Sequence, residues 1–331
     1  MWSKSLRART GMTEGTPGPV PAKRSPVQYF RYLLALLFCV AGLVYVSSEW
    51  DEFRHLQWPS PLPVTLVSLG FVLSLAVRST YNWLVARHLG SGISAGESFL
   101  ISSISTAGNL LLPVGAGVGL RAAYMKRAHG FPITHFAGGM IVFALLNLLV
   151  VSCIALLILI GVSGSAQGLS VSLLTMFAVP ILLVLALTII GKIRREMPSG
   201  SAGGWWTTFW QGLTLVVGDR RLVAVSVALV IANFVIACVT WTVALRDYSA
   251  DIRIDVALLI AASQVISGFL NVTPGAVGIQ EVTGLYVGRS LNTTVIELFA
   301  VLLWVRGVRL MTAIAIAVPS TIILQRRWGR A

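Results

Sequence analysis

The residues able to do chemistry in this chain are ionisable groups set inside apolar runs. Glu281 closes the stretch "NVTPGAVGIQE", and Arg306 lies in "LLWVRGVRLMTA", one turn before Arg309. Each such group costs at least about 2.5–3.5 kcal/mol at bilayer depth on insertion scales, so it faces a protein interior or a partner. Two arrangements answer that cost. In one, Arg121 or Arg306 binds an anionic head group and Glu281 is the balancing carboxylate. In the other, Glu281 and Arg306 pair and lock helices together. Arg78 and Arg309 read as side chains that snorkel towards an interface. Asn109 and Asn271 offer neutral hydrogen bonds, either to a head group or as polar glue between helices.

A third chemistry, lipid transfer with Glu281 as general base, needs a metal or a second catalytic group beside it. The sequence has no carboxylate pair and no acid–histidine constellation at depth. The four histidines show no ligand spacing, and Cys39, Cys153 and Cys238 fall in separate apolar runs. Buried hydrophobes describe these cysteines better than a disulfide framework does. No metal and no cofactor is expected.

The elements around these residues follow from composition. Of the 331 residues, 56% are hydrophobic and 11% charged, with mean hydropathy +0.83. A soluble domain carries about 25% charged residues, and several apolar runs reach the roughly 20 residues that cross a bilayer as a helix. The expected class is an all-α polytopic membrane protein with about 7–8 membrane-embedded helical segments. Alternating ten-residue segments of a membrane barrel are missing. The net charge of +13 lies in tails and connections rather than on one basic module, so nucleic acid is not an expected partner.

Residues 1–28 read as a disordered basic cytoplasmic tail, and 29–331 as one membrane domain. Its first half runs over about 29–191, its second over about 222–325. Between them, "GWWTTFWQGLTLVVGDRR" reads as an interfacial amphipathic helix over about 204–218. Spans are expected near 29–48, 62–84, 133–162, 169–190, 222–245, 254–270 and 295–324. "SAGE" offers a capping box, with Ser94 as N-cap and Glu97 three residues on. Lys and Arg crowd the N-tail, 87–127, 192–221 and the C-tail, while Asp51, Asp247, Asp251 and Asp255 lie in opposing loops. By the positive-inside rule both termini are cytoplasmic.

One pattern recurs. "NLLLPVGAGVGLR" (109–121) and "NVTPGAVGIQE" (271–281) each run Asn, Pro, a Gly/Ala/Val stretch, then a charge. Proline removes an N–H and clashes with the preceding turn, and glycine takes backbone angles closed to other residues. Unpaired backbone groups survive in a membrane only against protein or a wet cavity. Paired breaks at corresponding places point to discontinuous, re-entrant helices around a central site in pseudo-repeated halves. Gly and Pro packing without a site is the plainer reading of either break taken singly.

At these residues the chain resembles the transmembrane region of the lysylphosphatidylglycerol synthases, a flippase-like membrane family. "TPGAVGIQE" matches the family's Thr-Pro-Gly-Gly-x-Gly-x-x-Glu at Thr273, Pro274, Gly275, Gly278 and Glu281, with Ala276 replacing a glycine. Arg306 takes the place of an arginine usual in the family's last span. Asn109, Pro113, Gly117 and Arg121 fit the earlier Asn-x-x-x-Pro signature. Charges that relatives carry near Gly115 and Val118, and at the places of Phe143, Ala144 and Asn147, are absent. The resemblance implies movement of an anionic, polyprenyl-phosphate-linked or isoprenoid lipid between leaflets of a cell inner membrane. It covers no soluble aminoacyl-transfer domain, so a transporter is expected rather than an enzyme. The alternative is a non-transporting partner of a lipid synthase or glycosyltransferase. A membrane phospholipid or isoprenoid lipid is the expected ligand, and a second copy or a lipid-synthesis enzyme the candidate protein partner.

Overall fold

The computed structural model describes residues 58–112, 115–163, 171–196, 216–248, 252–269 and 273–328, with part of the stretch between 33 and 54. The basic tail, most of the interfacial helix, Pro113 and Asn271 lie outside the described residues. What is described is helical, without strands. The helices are α1 (Trp50–Phe53), α2 (Pro61–His88), α3 (Ala95–Leu111), α4 (Ala116–His129), α5 (Ile133–Ser163) and α6 (Val171–Glu196), then α7 (Arg220–Arg246), α8 (Ile254–Ser267), α9 (Ile279–Ser290) and α10 (Val295–Trp328). Five of them, α2, α5, α6, α7 and α10, are long and apolar enough to cross a membrane, and α8 is a shorter apolar helix.

Helix starts follow local chemistry. Pro61 opens α2, where a missing N–H is no loss. Ser94 accepts a hydrogen bond from the Glu97 N–H at 3.3 Å to start α3, as the capping box requires. Asp219 accepts from the Arg221 and Leu222 N–H groups to start α7.

One succession occurs twice. A long helix is followed by two short ones across a break and then by another long helix. In the first half these are α2, α3, α4 and α5, of 28, 17, 14 and 31 residues. In the second they are α7, α8, α9 and α10, of 27, 14, 12 and 34 residues. The two leading helices, α2 and α7, pack along each other and run antiparallel. The Ser60 N–H and hydroxyl, at the start of α2, donate to Asp247 at the end of α7, at 3.0 and 2.8 Å. At the other extremity His88 Nδ1 stands 3.5 Å from Asp219.

The halves interlock through their interiors. α10 packs on α3, and α8 on α5 and α7. The largest core gathers Phe177, Val151, Trp241, Leu259, Ile260 and Leu298, all fully buried. Large aliphatics remain exposed on the outer faces, among them Leu157 on α5 and Leu182 on α6. Such faces suit lipid and would be ruinous in water.

Candidate functional site

The first break separates α3 from α4. Gly115, at φ +81°, turns the chain into α4, a conformation that glycine reaches without a Cβ penalty. The two helices then fold back on each other. Gly117 N–H donates to Asn109 Oδ1 at 3.0 Å, and Ser105 Oγ donates to the Gly117 carbonyl at 2.7 Å. Contact is so close that a Cβ on Gly117 would sit 1.8 Å from the Ser105 carbonyl oxygen. Asn109 is therefore polar glue here, one of the two roles its position in the sequence allows.

The second break has the same construction. Between α8 and α9 lies a 3₁₀ turn, Pro274–Ala276, tied by the Thr273 hydroxyl to the Val277 carbonyl at 2.7 Å. Gly275 (φ +59°), Ala276 (φ +56°) and Gly278 (φ +84°) are all left-handed. Across the fold-back, Gln264 Nε2 donates to the Gln280 carbonyl at 2.7 Å. Ala276 holds an angle that is unfavourable by roughly 1–2 kcal/mol for a residue with a Cβ, which explains why a glycine suits this place. Ala276→Gly should accordingly raise the stability of the purified protein by up to about 1 kcal/mol, read as a higher unfolding midpoint in detergent.

Glu281 serves this turn twice. One carboxylate oxygen accepts from the Gly278 N–H at 2.7 Å, which caps the first turn of α9, where the helix dipole also favours a negative charge. The other oxygen meets Arg306 Nε at 2.7 Å. Arg306 Nη2 reaches the carbonyls of Gly275 and Ala276 and the Gln280 side chain at 3.3–3.4 Å. The ion pair expected as one of two arrangements is thus formed, and Arg306 sutures α10 to the break.

The two breaks touch. A Cβ added to Gly275 would lie 3.3 Å from the Leu110 carbonyl oxygen and 3.5 Å from its Cα. The 3₁₀ turn of the second half rests on the last turn of α3 in the first.

Arg306 brings positive charge to this junction, and further arginines lie along the neighbouring helices. Arg78 on α2 is close enough to Arg121 on α4 and to Arg309 on α10 for their charges to repel, and Arg309 likewise feels Arg306. Among the described residues Glu281 pairs with Arg306, and no carboxylate lies within ion-pair distance of Arg78, Arg121 or Arg309. Arg78 lies ten residues, about 15 Å, before the end of α2. Arg309 is 14 residues from the start of α10 and 19 from its end. At that distance neither side chain reaches a helix end.

Of the sequence-derived site residues, Asn109, Gly117, Thr273, Gly275, Gly278, Glu281 and Arg306 form the two fold-backs and their suture, with Pro274 in the turn. Arg121 stands near Arg78 instead. Sequence reasoning missed Gln280 as a partner of Arg306, and the grouping of Arg78 with Arg309. It also missed a cluster in which the Glu97 carboxylate binds Tyr124 and, at 2.8 Å, His129. Burial raises the Glu97 pKa, but hydrogen bonds from Tyr124 and His129, the His129 charge and the Ser94 N–H outweigh it, and the net displacement is below the ordinary 4.5. Asn147, at one of the places where relatives carry charge, is buried and donates to the Phe143 carbonyl of its own helix at 2.9 Å.

No curated protein matches the chain. The pattern of the family described as the lysylphosphatidylglycerol synthase TM region matches residues 32–318. That stretch holds both breaks, Glu281 and all four arginines. With most of its length matched, the chain belongs to the lysylphosphatidylglycerol synthase transmembrane-region family.

Proposed function

We propose that the protein moves an anionic or polyprenyl-phosphate-type lipid between the leaflets of the cell inner membrane, with both termini cytoplasmic. The observation that carries this reading is the meeting of the two breaks at Leu110 and Gly275. Antiparallel α2 and α7 support an inverted repeat, and in inverted-repeat transporters the broken helices meet around the substrate path. Re-entrant hairpins α3–α4 and α8–α9 are the moving parts in this account. Arg121 meets head-group charge while the acyl chains stay in lipid, and the Glu281–Arg306 pair holds the second hairpin in shape.

The test is reconstitution. Vesicles holding the full chain and a fluorescent phosphatidylglycerol should equilibrate the label between leaflets many times faster than empty vesicles. Equal rates would sink the reading. A non-transporting partner of a lipid synthase is the second reading. It is favoured by an ion pair that Glu281 and Arg306 satisfy within the protein itself. Stable co-purification of an enzyme, with no label movement by this chain, is the result that would select it.

A further inference from the structure

Four helices bring cations to one extremity of the molecule. His88 Nδ1, at the end of α2, stands 3.5 Å from Asp219 at the start of α7. His129, the last residue of α4, meets Glu97 in the first turn of α3 at 2.8 Å. Leu324, near the end of α10, packs in one buried cluster with Ala86 of α2 and with Tyr124 and Met125 of α4. Arg87, Lys126, Arg127, Arg220, Arg221 and Arg326 therefore share this extremity, and all six are exposed.

Two carboxylates lie among them, and both are engaged. Glu97 is held by Tyr124 and His129. Asp219 caps α7 and faces His88. Six cations against two carboxylates leave an excess of four positive charges with the histidines neutral. Among the described residues none of the six is in an ion pair. Arg87 lies over the Trp83 ring at 5.6 Å. The opposite ends of the second-half helices are balanced, with Arg246, Arg253 and Arg289 against Asp247, Asp255 and Glu297.

What lies beneath the cations selects the partner. Val225 is exposed one turn inside Arg221, and Ile322 and Ile323 are exposed one turn inside Arg326. One turn is about 5.4 Å along the axis, so a collar of charge borders a belt of aliphatic side chains. A ligand that matches both levels has a negative head and an apolar tail. An acidic soluble partner would use the charge alone and leave the aliphatics uncovered.

We propose that this collar is a docking surface for anionic phospholipid. Head-group phosphates meet the six cations, where arginine forks take phosphate oxygens in pairs, and acyl chains lie along the aliphatics one turn below. The surface goes beyond the transport reading and does not rest on it, since the lipid is held at the rim rather than at the breaks. The open end of the α3–α4 hairpin is on the same face, so docked anionic lipid is enriched beside it.

The experiment titrates the purified full chain in detergent with phosphatidylglycerol and, separately, with phosphatidylcholine. It reads retained lipid by native mass spectrometry and the unfolding midpoint. The parent should retain several phosphatidylglycerol molecules and gain stability saturably, with little response to phosphatidylcholine. Salt at about 1 M, where the screening length is about 3 Å, should remove most of the difference. Replacing Lys126, Arg127, Arg220 and Arg221 together by Gln should weaken phosphatidylglycerol binding by about tenfold or more, given a factor of about five for each cation at an anionic surface. The matched variant at the opposite end, with Arg246, Arg253 and Arg289 replaced by Gln, should bind as the parent does.

The four replaced side chains are exposed, so the lipid-free midpoint should match the parent's. Should the fourfold variant fail to fold, the pairs K126Q/R127Q and R220Q/R221Q decide, each losing part of the affinity. Equal binding of the two lipids by the parent, or equal losses from variants at the two ends, overturns the proposal. A polyglutamate peptide that binds as tightly as phosphatidylglycerol and displaces it makes this a protein-docking face and overturns the lipid assignment. Binding is read without vesicles, so the collar and the transport reading fail separately.

Discussion

Glu281→Gln should lower the stability of the purified protein by about 3 kcal/mol, within the range for stranding one partner of a buried ion pair. The lower part of that range applies because the Arg306 side chain keeps 24% of its exposure. Two losses combine. Arg306 faces an amide in place of a carboxylate, and the Gly278 N–H loses a charged acceptor. Arg306→Gln should cost a similar amount, since it strands Glu281. The double variant should recover most of the loss, because two neutral amides leave no charge unpaired. A thermal-unfolding cycle over the four proteins measures this coupling. Additive losses in the double variant would show that the two side chains act separately, and the suture described above would be wrong. In the vesicle assay both single variants should lose lipid movement, because the turn they hold abuts Leu110.

Gly117→Ala carries the second large effect. The new methyl group would meet a backbone oxygen, Ser105 O, at 1.8 Å and the Asn109 side chain at 2.7 Å. A backbone oxygen cannot swing aside as the tip of a side chain can. α3 and α4 must part, and the two hydrogen bonds that join them at Gly117 go with the contact. Overpacking costs about 1–3 kcal/mol, and each stranded buried group adds about 1–3 more. A loss on the order of 3 kcal/mol or more is expected, seen as poor recovery of folded protein and a much lower midpoint. Gly119→Ala, two residues on and with open space around its Cβ, should be neutral or stabilising by up to about 1 kcal/mol through helix propensity. Equal behaviour of the two variants would contradict the close approach at Gly117.

These two glycines show where reading the sequence stops. "GAGVG" marks a break by composition, and nothing in it separates Gly115, Gly117 and Gly119. In the fold they have three different duties: a left-handed turn, a helix contact and an open face. Five membrane-length helices were legible because hydropathy over some 20 residues is a local property, whereas the span expected over 254–270 is the shorter helix α8. So was the pairing of the two breaks, since Asn, Pro and Gly recur in order.

Tertiary grouping was not legible. A lone arginine in an apolar run reads the same whether it snorkels or stands near another. Only the fold brings Arg78 near enough to Arg121, and to Arg309, for their charges to be felt. Asn109 likewise had two readings of equal merit until Gly117 was seen to donate to it. Ala276 is the reverse case. Its replacement of a glycine was visible in the sequence, and the positive φ gives it a physical meaning.

The clasps at the two extremities of α2 and α7 bear on how the halves move. Ser60–Asp247 and His88–Asp219 lie 28 residues apart along one helix pair. Sliding one helix past the other by a single turn, about 5.4 Å, would tear both clasps at once, whichever way it went. A twist about the shared long axis strains each far less. The pair behaves as an axle pinned against endwise travel, so any rearrangement that opens the breaks has swivelling, not pistoning, as its low-energy coordinate.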